Sequence, residues 1–331
     1  MKLILNILKF SLPFALGIGI LWWMYRDTDG AQLAQSLAQI NWGWMLLSLA
    51  FGVVPLVFRA LRWRLALLPL GERPSRRVLT DAIFVSYAAS LAVPRIGEVT
   101  RCGTLKRFEG VSFSKSLGTV VAERVVDSVL MMLIALAALL SQLPQFLEFL
   151  RTTGTSPRQL LERFTSTGYV VTGICLLLIL ATAVFMLLRV KAFQRGREKM
   201  MGFVEGLASL RHLEHLPTYL LYSIGIWAAY FLHFYLAFFC FDFTSGIPPL
   251  AALLIFSASS FAVLVPTPNG AGSWHFAVKT MLVLYGVAEA PAVAFALVVH
   301  TIQTALVVAM GAAGWADLNF RIPQPSKQKS L

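Results

Sequence analysis

Apolar residues in this chain form long unbroken runs rather than the alternation of a half-buried sheet. Six runs have the length of a membrane-spanning helix: 10–25, 42–58, 117–140, 168–188, 219–241 and 292–314. A crossing takes about 20 residues at about 1.5 Å rise per residue. Two further runs, 78–93 and 249–265, are shorter and end in helix-breaking strings. The first stops at Pro94-Arg-Ile-Gly-Glu-Val-Thr-Arg101, and the second at Pro266-Thr-Pro-Asn-Gly-Ala-Gly272, followed by the return segment 275–286. The pattern predicts an all-α polytopic membrane protein. Its expected parts are six full transmembrane helices and two re-entrant helical hairpins, 78–116 and 249–286. Counting each hairpin limb as a span gives eight to ten helices.

Composition agrees: 57% of the 331 residues are hydrophobic and 13% charged, with a mean hydropathy of +0.72. Half the usual charged fraction leaves too little polar surface for a soluble domain, which excludes a soluble enzyme and a disordered chain. The net charge of +12 would suggest nucleic acid in a soluble protein, but here it sorts by side. Lys and Arg collect in cytoplasmic loops. With both termini cytoplasmic, 22 of the 28 basic residues fall on one side. They include Arg59, Arg62, Arg64, Arg73, Arg76 and Arg77 after the second span, and the segment 189–216. That segment reads as an interfacial helix, with Met200, Met201, Phe203, Val204 and Leu207 at helical spacing. Arg124 and Lys279 are left at membrane depth. Both flanks of 78–116 are then cytoplasmic, whereas those of 249–286 hold no basic residue, so the hairpins enter from opposite sides. A single membrane domain is expected, with halves 1–140 and 168–317, in the cytoplasmic (inner) membrane. Cys102, Cys175 and Cys240 lie far apart without metal-ligand or disulfide spacing, and no cofactor motif is present.

Non-helical backbone at membrane depth survives only if buried in protein or lining a wet cavity. Two opposed Pro/Gly breaks therefore point to a transport site, although breaks of this kind also simply end helices. Around the first break stand Asp81, Arg95, Glu98, Arg101, Glu123, Arg124 and Asp127. Glu98 and Arg101 are three apart, as are Arg124 and Asp127, so each pair can meet on one helix face. Charges at this depth must pair or face water. Two readings stay open: Arg95, Arg101 and Arg124 bind a phosphate, or the network only fastens the hairpin to its neighbouring span. At the second break, Pro266, Pro268, Gly270 and Gly272 free backbone groups, and Asn269 and Ser273 supply polar contacts. A helix starting near Ser273 would turn its positive end toward the break. His275 and His300 are the ionisable candidates there, as a relay or ligand pair or as hydrogen-bonded packing residues; packing is favoured for His233. Lys279 is expected to pair or snorkel.

The strings at 94–101 and 266–272, with Glu123-Arg-Val-Val-Asp127 between them and Arg62-Trp63-Arg64 upstream, resemble the lysylphosphatidylglycerol synthase transmembrane region family. These are flippase-like integral membrane proteins, and the resemblance spans residues 10–318. It implies a protein that moves or handles a modified lipid. No segment here houses the soluble transferase to which this region is fused in the synthases, so lysyltransferase activity is not expected. Three positions depart from the family pattern: Asn269 replaces a glycine, His275 a glutamate, and His300 falls where an arginine is expected.

The expected partners are membrane lipids, either an anionic phospholipid or a polyprenyl lipid, and a lipid-modifying enzyme partner is compatible with this. The leading expectation is a lipid flippase or transporter rather than an enzyme. The alternatives are a membrane-embedded transferase using a lipid-linked donor, for which loop 142–167 offers only Glu148 and Glu162, and a non-catalytic partner subunit.

Overall fold

The computed structural model describes residues 38–144, 197–265 and 267–320, together with 15, 17–24 and 26. Most of the expected first span, the loop beyond residue 144, the span 168–188, the basic stretch 189–196, Pro266, Cys175 and the basic tail lie outside the described residues. Among those described, every regular element is helical. Four helices are long and apolar enough to cross a membrane. They are α2 (Trp42–Leu67) with its 3-10 extension to Leu70, α5 (Phe113–Ser141), α7 (Leu216–Leu236) and α10 (Glu289–Phe320). The segment 17–24 is helical and is α1 here.

Both expected hairpins are present. The first is α3 (Arg76–Ala92) and α4 (Ile96–Glu109), joined at Val93–Arg95. At about 25 Å and 21 Å, neither limb spans ~30 Å of hydrocarbon. Its base is tied by Ser75, which caps α3 by accepting from Val78 N–H and donates through both its N–H and its hydroxyl to Glu109 at the end of α4. Near the tip, Gly97 N–H donates to Ser90 Oγ at 3.1 Å. The limbs are so close there that a Cβ on residue 97 would overlap the Ser86 carbonyl oxygen. The second hairpin is α8 (Pro249–Ala262) and α9 (Ser273–Leu284), joined by a break that holds Pro268–Gly270.

Helix α10 measures the depth of both. Toward its C-terminus Asp317 pairs with Arg77 at the start of α3, Gly314 faces Asp81 and Phe84, and Gly311 faces Ala88. Midway, His300 and Thr304 bond Asn269 in the second break. Near its N-terminus Ala292 and Phe295 share a core with Ala251, Ile255 and Leu282 of the second hairpin, and Glu289 pairs with Lys279. The hairpins thus approach from opposite ends of α10, and their tips come together at its middle.

One expectation needs correction. The second span does not end at Phe58: α2 continues through Arg59, Arg62 and Arg64, and the chain turns only at Pro69 and Gly71. Arg59 and Arg62 are buried, so they are not loop charges, and Arg124 and Lys279 are not the only basic residues at depth. The basic segment contributes α6 (Arg197–Ala208), whose Gly202 and Gly206 lie on α5 while Met201, Val204 and Leu207 face outward. Only 11% of the most apolar stretch of α5 is buried within the protein, as suits a lipid-facing helix.

The close approach at the first tip gives a test. Gly97→Val forces α3 and α4 apart and lowers the thermal midpoint of the purified protein by several degrees, since overpacking costs about 1–3 kcal/mol. Gly103→Val on the same helix, where an added Cβ meets nothing within 4 Å, leaves the midpoint nearly unchanged. Equal shifts would count against the hairpin packing.

Candidate functional site

An ion network joins α2, α4 and α5. Asp127 accepts from Arg59 Nη1 at 2.8 Å and from Arg62 Nη1 at 2.7 Å. Glu123, one turn earlier on α5, accepts from Arg101 Nη1 at 3.0 Å and lies 3.5 Å from Arg62 Nε. These five side chains are between 0% and 7% exposed. The outer part is more open: Arg124 reaches Asp127 at 3.2 Å and Glu98 at 3.4 Å, and Arg124 and Glu98 are 38% and 37% exposed. The guanidinium groups also rest on aromatic faces, with Arg101 4.7 Å from the Trp63 ring, and Arg59 and Arg62 each 5.6 Å from Tyr230 and Tyr219. Trp63 is itself held by a hydrogen bond to Thr119. Four guanidinium groups meet three carboxylates, and Arg62 Nη2 and Arg101 Nη2 are buried without a hydrogen-bond partner.

The expected i, i+3 pair Arg124–Asp127 forms, whereas Glu98 and Arg101 turn to different partners on α5. Arg95 is exposed at the N-cap of α4 with positive φ, three residues before Glu98. Asp81 stands apart from this cluster, near the C-terminal end of α10. Sequence reasoning missed Arg59 and Arg62. Their signal was the apolar helical pattern of Ala60, Trp63, Ala66 and Leu67, which continues past them to the first breaker at Pro69.

The second break is built from neutral groups. Pro268 and Gly270 are buried, and Asn269, Gly270 and Gly272 have positive φ. Asn269 Nδ2 donates to Thr304 Oγ1 at 2.8 Å, and its carbonyl lies 3.1 Å from His300 Nε2. With its proton on Nε2, His300 donates to this backbone carbonyl, the shorter of its two contacts with Asn269, the other being 3.5 Å to Nδ2. His275 Nδ1, at the third helical position of α9, accepts from the Gly272 N–H at 3.3 Å and so satisfies the N–H of the residue that precedes the helix. The His275 and His300 rings are 4.3 Å apart, and Trp274 lies 5.1 Å from His300. Ser273 hydrogen-bonds Gly270 O and Thr267 Oγ1 within the break. Residues 17–24 cover its outer side: Gly17 faces Ala271 and Pro268, and Ile20 faces Gly272. His233 is hydrogen-bonded to Ser48 on α2 and packs against Gly52.

Between the tips lies a cavity of about 270 Å³. Tyr87 of the first hairpin and Asn269 of the second both line it, with His300, Gln303 and Thr304 of α10 and Tyr230 of α7. The Tyr87 and Tyr230 hydroxyls are 2.7 Å apart, and Tyr230 also accepts from Arg59 Nε at 3.4 Å. The cavity therefore meets the ion network through one tyrosine. Among the described residues no cluster of His, Cys, Asp and Glu could hold a metal ion.

Removing one member of the buried network strands its partners. Asp127→Asn leaves Arg59 and Arg62 without their shared counter-charge and destabilises the fold by about 3–5 kcal/mol, read as a lower unfolding midpoint in mixed micelles. Glu205→Gln, which breaks the more exposed pair with Lys115, costs at most about 1 kcal/mol.

The chain matches no curated protein and no solved structure. A family model, described as the Lysylphosphatidylglycerol synthase TM region, matches residues 10–311. That match takes in both hairpins, the ion network and the cavity between them. The protein therefore belongs to the lysylphosphatidylglycerol synthase TM region family, membrane proteins related to lipid modification or flipping.

Proposed function

We propose that the protein is a lipid flippase of the cytoplasmic membrane, with both termini in the cytoplasm and the lipid headgroup passing between the two hairpin tips. The observation that carries this reading is the cavity at the middle of α10, lined by both hairpins. Opposed hairpins with a largely apolar cavity at their meeting point, into which Asn269, Gln303, Thr304 and two tyrosines bring polar groups, offer a headgroup a place at mid-depth while acyl or prenyl tails stay in lipid. The lipid phosphate is assigned to Arg124 and Arg95. Arg59, Arg62 and Arg101 are committed to Asp127 and Glu123, whereas Arg124 is partly open and Arg95 is exposed at the start of α4. The carboxylates orient the arginines rather than touch the lipid. The orientation rests on the gathering of basic residues in one set of loops.

The test is a flipping assay in proteoliposomes with a fluorescent short-chain phosphatidylglycerol and a quencher on one side. Wild-type protein exposes the inner-leaflet probe to quenching. Arg124→Gln slows this by about 10- to 100-fold, the equivalent of one charge-assisted hydrogen bond of about 1.5–3 kcal/mol. Arg107→Gln, an exposed charge near the end of α4, leaves the rate unchanged. Wild-type protein that moves no phospholipid or polyprenyl phosphate would contradict the proposal.

A further inference from the structure

We infer that the cavity between the hairpin tips accepts an uncharged, hydroxyl-bearing headgroup of a phospholipid and rejects a cationic aminoacyl headgroup; this rests on the lipid-handling reading above. Among the described residues no Lys, Arg, Asp or Glu lines the cavity. The nearby carboxylates are already engaged, with Asp127 bonded to Arg59 and Arg62, Glu123 to Arg101, and Glu98 paired with Arg124. A lysyl ammonium entering the cavity would find no counter-charge, and an unpaired charge in apolar surroundings is strongly disfavoured.

What the cavity does offer suits hydroxyl groups. Gln303 lines it, and its buried Nε2 is a donor that no hydrogen bond uses. His300 commits Nε2 to Asn269 O, leaving Nδ1 as an acceptor whose nearest bonded neighbour, Thr304 Oγ1, is 3.5 Å away. Thr304 Oγ1 accepts from Asn269 Nδ2 and gives its own proton to His300 Nδ1 across a long 3.5 Å contact, which a ligand hydroxyl can replace. The Ser259 and Ser260 hydroxyls, by contrast, are spent on the Phe256 carbonyl. One unused donor on Gln303 and a long Thr304–His300 hydrogen bond, into which a ligand hydroxyl can insert, are complementary to a small polyol, and Trp274 and Tyr230 add aromatic lining. At about 270 Å³ the space lies near the low end of small-molecule sites, which run from about 300 Å³ upward. That admits a group the size of one glycerol. The phosphate itself stays outside, because none of the arginines reaches the cavity wall. The two histidines belong to the same picture, since His275 and His300 hold the break by hydrogen bonds that need no charge.

The purified full chain in detergent, offered equal amounts of three dioctanoyl lipids, tests this by native mass spectrometry. The probes are phosphatidylglycerol, lysyl-phosphatidylglycerol and phosphatidic acid. Phosphatidylglycerol should be retained at least tenfold over each of the other two. Gln303→Leu and Thr304→Val should each erase its advantage over phosphatidic acid while leaving phosphatidic acid binding intact, which also shows that the variants are folded. Equal or preferred retention of lysyl-phosphatidylglycerol overturns the inference and leaves the lipid-handling reading standing. Equal retention of phosphatidic acid by wild-type protein overturns it too, because the headgroup is then not read. Retention of none of the three defeats the lipid-handling reading and the inference with it.

Discussion

Asp127 and Glu123, one turn apart on α5, hold three buried arginines that come from two other helices. Ionised groups at this depth persist only when paired, so the carboxylates fix where α2 and α4 can lie against α5. Helix α4 is the return limb of the first hairpin, and its position sets where Pro94 and Arg95 stand. The outgoing limb, α3, is held independently along α10 by the contacts of Gly311 and Gly314 and by the Arg77–Asp317 pair. The first tip is thus anchored twice, once by charge and once by close helix packing.

The second tip is anchored without charge. Asn269, His275 and His300 tie the broken backbone to α9 and α10 through neutral hydrogen bonds, and an aromatic group including Phe234, Phe256 and Trp274 packs around it. The cavity lies between a charged anchor and a neutral one, and Tyr230 links it to the charged one: its hydroxyl meets Arg59 and Tyr87, and it lines the cavity. On the proposed lipid-handling function, this asymmetry would give the two ends of a phospholipid headgroup different environments, guanidinium for the phosphate and neutral donors and acceptors for what lies beyond it.

Much of this architecture is legible in the sequence because Pro and Gly mark the breaks and apolar length separates full spans from short limbs. The hairpin strings at Pro94 and Pro268 show where the chain turns, and the start of a helix at Ser273 follows from the glycines before it. The Arg124–Asp127 pair was readable because i, i+3 neighbours on one helix meet whatever the tertiary packing does. Glu98 and Arg101 have the same spacing, yet each finds a stronger partner on α5, and no local rule reveals that. Arg59 and Arg62 were misread for a related reason. A cluster of arginines at the end of an apolar run has the pattern of a loop flank, and only the carboxylates of a helix more than sixty residues away make their burial tolerable. The role of His275 in holding Gly272 N–H was also hidden, since a histidine in the first helical turn signals no cap by its residue type.

The central claim is that the carboxylates of α5 and the arginines facing them act as one unit that docks the first hairpin. A double-mutant cycle on Arg101→Gln and Glu123→Gln, read by unfolding in mixed micelles, tests it most directly. The account predicts that the double variant is more stable than the summed single losses imply, by about 1.5 kcal/mol or more, because each single change strands a buried charge that the double change removes. Additive losses, agreeing within about 0.3–0.5 kcal/mol, would contradict it.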